Sequence, residues 1–319
     1  MALRPTAMFA YPSADPEVVA TIREALGRVR GPVLPFDISS WEENDITGRF
    51  LRAPIIEKID DGLCLLADVT TPNFNVTYEI GYAIGKAKRL ILLRHEAIKP
   101  NDLIQRIGIF DTLGYVTYVN SVELVSAIRA VSDFSPIPVV RERNKKQPVY
   151  VLETPYKTNS MLQILSRVKK EQLFYRSFNP QEQTRLAGPD AIAEVGASYG
   201  VVIPLLSPDY EQAHVHNIRA AFVAGLSHGM GKATLILSPK DNPLVPLDVR
   251  DLVKSYREPK DIRDYIRDFQ KQVLREIQSD ADEVGPSIAG LATLSLGSSI
   301  AENEFQHLSE YFIKTEEYL

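Results

Sequence analysis

A chain of 319 residues has room for about two domains of ~150 residues each. Its 45% hydrophobic and 24% charged residues suit a folded core, and its net charge of −5 speaks against a basic nucleic-acid-binding face. The single cysteine, Cys64, excludes an internal disulfide and fits a reducing cytoplasm, the N-terminus "MALRPTAMFAYPS" lacks the apolar centre of a signal peptide, and no apolar run approaches the ~18 residues of a membrane span.

In chain order, "TAMFAY" (6–11) predicts a first strand. "DPEVVATIREALGRVR" (15–30) predicts a helix with Asp15 as N-cap, Pro16 at the first helical position and Val18, Val19, Ile22 and Leu26 on one face. "GPVLPFD" reads as the second strand, and "ITGRFLRAPIIEKIDD" as a helix that Pro54 either breaks or delays. "GLCLLADV" is a third strand, "NVTYEIGYAIGKAK" a helix, "RLILLRH" a fourth strand, "GYVTYV" a fifth and "SVELVSAIRAVSD" a closing helix. Near-continuous apolar strands alternating with helices imply a parallel sheet covered on both faces.

The second half repeats this order after a Pro-containing and then basic linker, "SDFSPIPVVRERNKKQ". "QPVYVLE", "KTNSMLQILSRVKK" and "EQLFYRSF" match the opening elements, "GPDAIAEVGASYGVVIPLLSP" matches "RAPIIEKIDDGLCLLADVT", and "HNIRAAFVAGLSHGMGKATLILSP" matches "NVTYEIGYAIGKAKRLILLRH". The expected fold is therefore α/β: two tandem Rossmann-like, flavodoxin-like parallel-sheet units at 1–137 and 147–278. Residues 279–319 carry eight acids and one base and are expected to form an acidic helical tail or connector, so the rest of the chain carries +2.

Asp68 ends an apolar strand and Glu79 stands on an otherwise apolar helix one loop later. Ligands of open parallel sheets bind outside the carboxyl ends of the strands, which places both carboxylates at one crevice. Val76, Ile80, Ala83, Ile84 and Ala87 form the sheet-facing stripe of that helix, with Glu79 at its half-buried margin near the positive helix end. Asn75 reads as the N-cap, and Gly81 as a point of close approach. No histidine spacing suggests a metal site, and "GMGK" (229–232) lacks phosphate-loop spacing.

"ADVTTPNFNVTYEIGYAIGKAKRLILL" resembles the nucleoside 2-deoxyribosyltransferase-like family and related TIR-like nucleotide-binding domains, over residues 6–135 and more faintly over 147–275. The resemblance implies that Glu79 attacks, or stabilises, the anomeric carbon of a nucleoside sugar. It makes Tyr11, Ser13 and Asp68 substrate-binding candidates, Trp41 a stacking surface and Arg49 a phosphate contact, and Asn75, at the start of the same helix as Glu79, is a further substrate-binding candidate. It implies cleavage of an N-glycosidic bond in a nucleoside, a nucleotide or NAD+, without metal or cofactor, and a role as an effector in bacterial antiviral defence. A homo-oligomer, a larger complex or a longer chain is expected, without membrane or nucleic-acid partners. The alternative is a non-catalytic nucleotide-sensing or interaction module. Asp68 also reads as a turn residue and Trp41 as half-buried packing. The second half has no Asp or Glu between Gln212 and Lys240, so Glu79 has no counterpart there.

Overall fold

The computed structural model describes residues 4–29, 34–43, 52–98, 102–139, 142–240, 242 and 247–283. Arg49 and the tail beyond residue 283 lie outside the described residues. In the first half, strands β1 (Thr6–Ala10), β2 (Asp37–Ser40), β3 (Cys64–Asp68), β4 (Arg89–His95) and β5 (Tyr115–Tyr118) form one sheet in the order β2-β1-β3-β4-β5, every pair parallel. Helices α1 (Pro16–Arg28), α2 (Ala53–Asp61), α3 (Phe74–Gly85), α4 (Leu103–Ile107) and α5 (Ser121–Arg129) connect them. Asp15 caps α1 as expected, its side chain accepting from Glu17 N–H (3.1 Å) and Val18 N–H (3.3 Å).

Three details depart from the sequence reading. β2 begins at Asp37, later than "GPVLPFD" suggested, because Pro35 has no N–H for the ladder and pairing starts with Thr6 opposite Asp37. α2 starts late, at Ala53 with Pro54 in its first turn, which is the delay that Pro54 implied and not one of the departures. The N-cap of α3 is Asn73, not Asn75: Asn73 is extended (φ −130, ψ 170) and its side-chain oxygen accepts from Val76 N–H at 3.0 Å. Glu79 accordingly sits in the second turn of α3, past the first turn where the helix field acts. Ala87 lies beyond the helix with φ 54 and is not part of its apolar stripe.

The second half contains β6 (Val149–Leu152), β7 (Tyr175–Phe178), β8 (Gly200–Pro204), β9 (Ala233–Pro239) and β10 (Val253–Tyr256), with α6 (Asn159–Lys170), α7 (Gly188–Gly196), α8 (Ala213–Gly229) and α9 (Pro259–Glu283). Its sheet order, β7-β6-β8-β9-β10, is that of the first half. The registers match as well: Cys64 pairs with Ala7 and Arg89, and Gly200 with Val149 and Ala233. Counting along the paired strands, Asp68 and Pro204 occupy equivalent positions.

Alternation along the strands divides the core into layers. Ala7 and Phe9 pack with α1 and α5 on one face of the first sheet, and Val149 and Val151 pack with α6 and α9 on one face of the second. Met8 and Ala10, together with Tyr150 and Leu152, belong to a single cluster that also includes α3 and α8. The two halves thus share one central core. This is why α3 is buried continuously over Val76–Ile84 and α8 over Val215–Ser227.

The contact between α3 and α8 is reciprocal. A Cβ on Gly81 would collide with the Phe222 carbonyl oxygen and stand 2.9 Å from Leu226 N; one on Gly225 would collide with the Tyr78 carbonyl oxygen and stand 2.7 Å from Tyr82 N. Gly85 and Gly229 meet in the same way, a Cβ on Gly85 falling 2.9 Å from the Gly229 Cα. This is the self-complementary pattern of a two-fold dimer, made here within one chain. It also fixes the equivalence of the helices: Gly81 matches Gly225, and therefore Glu79 matches Val223. Gly81 is a point of close approach, but to a helix rather than to the sheet or a ligand. By contrast, nothing lies within 4 Å of a Cβ on Gly27 in α1. Gly27→Ala should raise stability by about 0.5–1 kcal/mol through helix propensity. A urea midpoint that falls in this variant would contradict an open α1 surface.

Candidate functional site at the carboxyl edge of the first sheet

Parallel pairing brings the ends of β1, β2, β3 and β4 to one edge. Tyr11 follows β1 directly and is buried. Trp41 follows β2 in a short 3-10 turn (Trp41–Glu43) and is half-buried. Their rings meet with centroids 5.9 Å apart. The turn is held to α1 by a two-pronged ion pair: Arg23 donates from Nε to Glu42 Oε2 (2.9 Å) and from Nη2 to Glu42 Oε1 (2.7 Å). The Tyr11 hydroxyl is buried without a well-formed hydrogen bond, with Ser40 and Glu42 the polar side chains facing it; burial raises its pKa. Trp41 Nε1 is likewise buried without an acceptor among the described residues. Ser13 is exposed in the bend before α1.

Asp68 has 0% exposure. Its Oδ1 accepts from Thr70 N–H (3.0 Å) and its Oδ2 from the Tyr118 hydroxyl (2.7 Å). The His95 N–H donates to Thr70 Oγ1 (2.8 Å), and the His95 ring meets Tyr118 edge-on at 5.0 Å. Asp68 thus ties the ends of β3, β4 and β5 together and presents no surface to a ligand. Burial pushes its carboxyl pKa up, while the hydrogen bonds from Tyr118 and Thr70 act in the opposite direction. A carboxyl raised in the folded state favours folding while protonated; that contribution is complete below the ordinary carboxylate range and is lost as pH rises through the raised value. Asp68→Asn removes this titration and keeps an acceptor for Thr70. Thermal unfolding from about pH 4 to about pH 8 should therefore show the variant gaining on wild type as pH rises. A difference independent of pH would contradict the raised carboxyl.

Glu79 is 6% exposed. Its neighbours Tyr78 and Tyr82 reach α2: the Tyr82 hydroxyl donates to Asp60 Oδ1 (3.1 Å), and Arg52 Nη1 donates to the Tyr78 hydroxyl (3.2 Å). At 100° per residue Glu79 falls on the flank between the α8-facing and sheet-facing stripes, on the side of α2 and therefore of β1 and β2. Asn75, four residues earlier and half-buried, shares that flank. The site thus groups Tyr11, Trp41, Asn75 and Glu79 on one side of α3, with Asp68 beneath the strand ends and Ser13 at the rim.

Three further polar groups were missed in the sequence. Thr71 Oγ1, Thr77 Oγ1 and His95 Nδ1 are buried with no hydrogen-bond partner among the described residues. Buried polar atoms are normally satisfied, so Trp41, Thr71 and His95, with the poorly bonded Tyr11 hydroxyl, are polar groups at this sheet edge that lack a good partner among the described residues. His95 had a signal: like Asp68, it is the polar end of an apolar strand. Thr77 lies on the opposite flank of α3 from Glu79. In the second half the matching edge has lost this chemistry, with Pro204 in place of Asp68 and Val223 in place of Glu79. His216 there is buried with its Nε2 on the Pro204 carbonyl oxygen (2.7 Å) and its pKa pushed down to about 4 by burial. No group of three metal-ligating side chains occurs among the described residues, and none of their helices is long and apolar enough to cross a membrane. Comparison with family models and with curated proteins found no match to this chain.

Proposed function

We propose that the first half cleaves an N-glycosidic bond in a nucleoside or nucleotide, with NAD+ the leading substrate, and that Glu79 is its catalytic residue. What supports this reading is a nearly buried carboxylate, Glu79, on the helix that follows β3 at the carboxyl edge of a parallel sheet, the edge where Trp41 Nε1 and His95 Nδ1 are buried without a hydrogen-bond partner among the described residues. In the proposed reaction the C1′–N bond breaks and the base leaves with the bonding electrons. The Glu79 carboxylate stabilises the cationic sugar or forms an ester with C1′. Water then bonds to C1′ and releases a proton, or a second base takes its place and transfer results. Nicotinamide leaves as a neutral base and needs no proton donor, which suits a site with one carboxylate in reach. Tyr11 and Trp41 offer ring surface to a base or sugar, and Asn75 lies one turn before Glu79. Asp68, buried and fully engaged, acts in this reading as a positioning residue for the strand ends.

Effector activity in bacterial antiviral defence and action in the cytoplasm belong to the same proposal. Cys64 is consistent with it, since burial pushes its thiol up to about 12 and leaves it unreactive. The complete burial of Asp68 favours a second reading, a nucleotide-sensing or interaction module without turnover. Incubating the protein with NAD+, nucleosides and deoxynucleotides and separating the products by chromatography decides between them. A released base supports cleavage; ligand bound but recovered intact supports sensing.

A further inference from the structure

The second half has lost the carboxylates of the first, but a cavity of about 470 Å³ opens beside its corresponding helix. It is lined from the first half by Arg106 of α4 and from the second by Arg185, Gln212 and Arg219 among others, with Asp102 the one acid in its wall among the described residues. Arg219 is only 4% exposed. Its Nε donates to the Ile107 carbonyl oxygen (2.9 Å), and its Nη2 to the carbonyl oxygens of Thr184 (2.6 Å) and Arg106. All three acceptors are neutral, and Nη1 has no acceptor among the described residues. The cation is therefore buried, oriented by carbonyls, set over the Phe178 ring (5.3 Å to the centroid) and without a carboxylate partner among the described residues, an arrangement that leaves room for a bound anion.

The surroundings add to that field. Arg106 reaches Asp102 only at 3.8 Å, and Arg185 pairs with Asp111 (3.1 Å), which is outside the cavity wall. α8 opens at this cavity, and its N-cap residue Gln212 makes no side-chain capping bond, whereas α3 is capped by Asn73. Gln212 and Val215 line the cavity, so the positive end of a 17-residue helix lies at the same space as the guanidinium groups. Gly108 holds the geometry: its φ is 86, and a Cβ there would stand 2.8 Å from Arg185 Cβ.

We propose that this cavity binds a phosphate group, free or as a phosphomonoester, making the second half a binding site without bond cleavage. Binding in this cavity depends neither on Glu79 nor on turnover. Isothermal titration of the full chain with inorganic phosphate and with glycerol 3-phosphate, at constant ionic strength and with glycerol as control, tests it. Both anions should bind and glycerol should not; the tighter of the two identifies whether the source is free phosphate or an ester. Arg106→Gln/Arg185→Gln removes two exposed cations and leaves the Arg219 anchoring bonds in place, so affinity should fall at least about 10-fold with the unfolding temperature little changed. Glu79→Gln should bind as wild type does. No heat at millimolar phosphate, or equal affinity in the double variant, overturns the proposal.

Discussion

Glu79→Gln should lower base release by at least about 100-fold while leaving the fold intact. Glutamine keeps the shape of the side chain and removes the charge that a cationic sugar would need. The fold should tolerate the change because the equivalent residue on α8 is the neutral, fully buried Val223 in the same helix pairing. Asp68→Asn should affect the rate less, since Asp68 is enclosed by Thr70 and Tyr118 and does not meet the ligand in the proposed site. The measurement is chromatographic detection of free base, with the near-ultraviolet circular dichroism of each variant as the test of folding. A folded Glu79→Gln protein that releases base at the wild-type rate would sink the catalytic role.

Much of the architecture was legible because it depends on local periodicity. Strand ends at Asp68 and His95 followed from apolar runs stopped by polar residues, and the two sheets share a strand order because the element order repeats. The stripe of Val76, Ile80, Ala83 and Ile84 was readable from helical spacing. The remaining face of α3 was not. Gly81 and Gly85, with Gly225 and Gly229, form a visible pair of four-residue spacings, but only tertiary structure shows that they meet. Glu79, expected half-buried, is almost wholly enclosed on the flank of α3 beside that pairing, which helical spacing alone does not show. Asn73 and Asn75 fit the N-cap equally by residue type; the extended backbone at Asn73 decides between them. α4 has only five residues, too few for a periodic signal. Tyr11 and Trp41 were candidates through the resemblance, and the fold shows only that they follow β1 and β2. The burial of Asp68 was not legible, because it depends on Tyr118, fifty residues away. Arg219 escaped notice for the same reason: its carbonyl partners include residues of the other half of the chain.

Gly225→Ala and Gly81→Ala should each cost about 3 kcal/mol or more, among the largest single-site losses in the protein. The colliding atoms are backbone: Tyr78 O and Tyr82 N around Gly225, Phe222 O and Leu226 N around Gly81. No side-chain rotation can relieve them, so α3 and α8 must move apart. Because these helices lie inside the core shared by both sheets, separation loosens packing on Met8 and Ala10 as well as on Tyr150 and Leu152. The two glycines also face one gap. Once the helices have separated for the first methyl group, the second has room, so the double variant should cost clearly less than the sum of the single ones. Gly114→Ala is the control, since nothing stands within 4 Å of its Cβ position. Urea unfolding of the four variants decides the matter. Single variants within about 0.5 kcal/mol of wild type, or strict additivity in the double, would show that the α3–α8 contact is not the tight, reciprocal joint of the two halves.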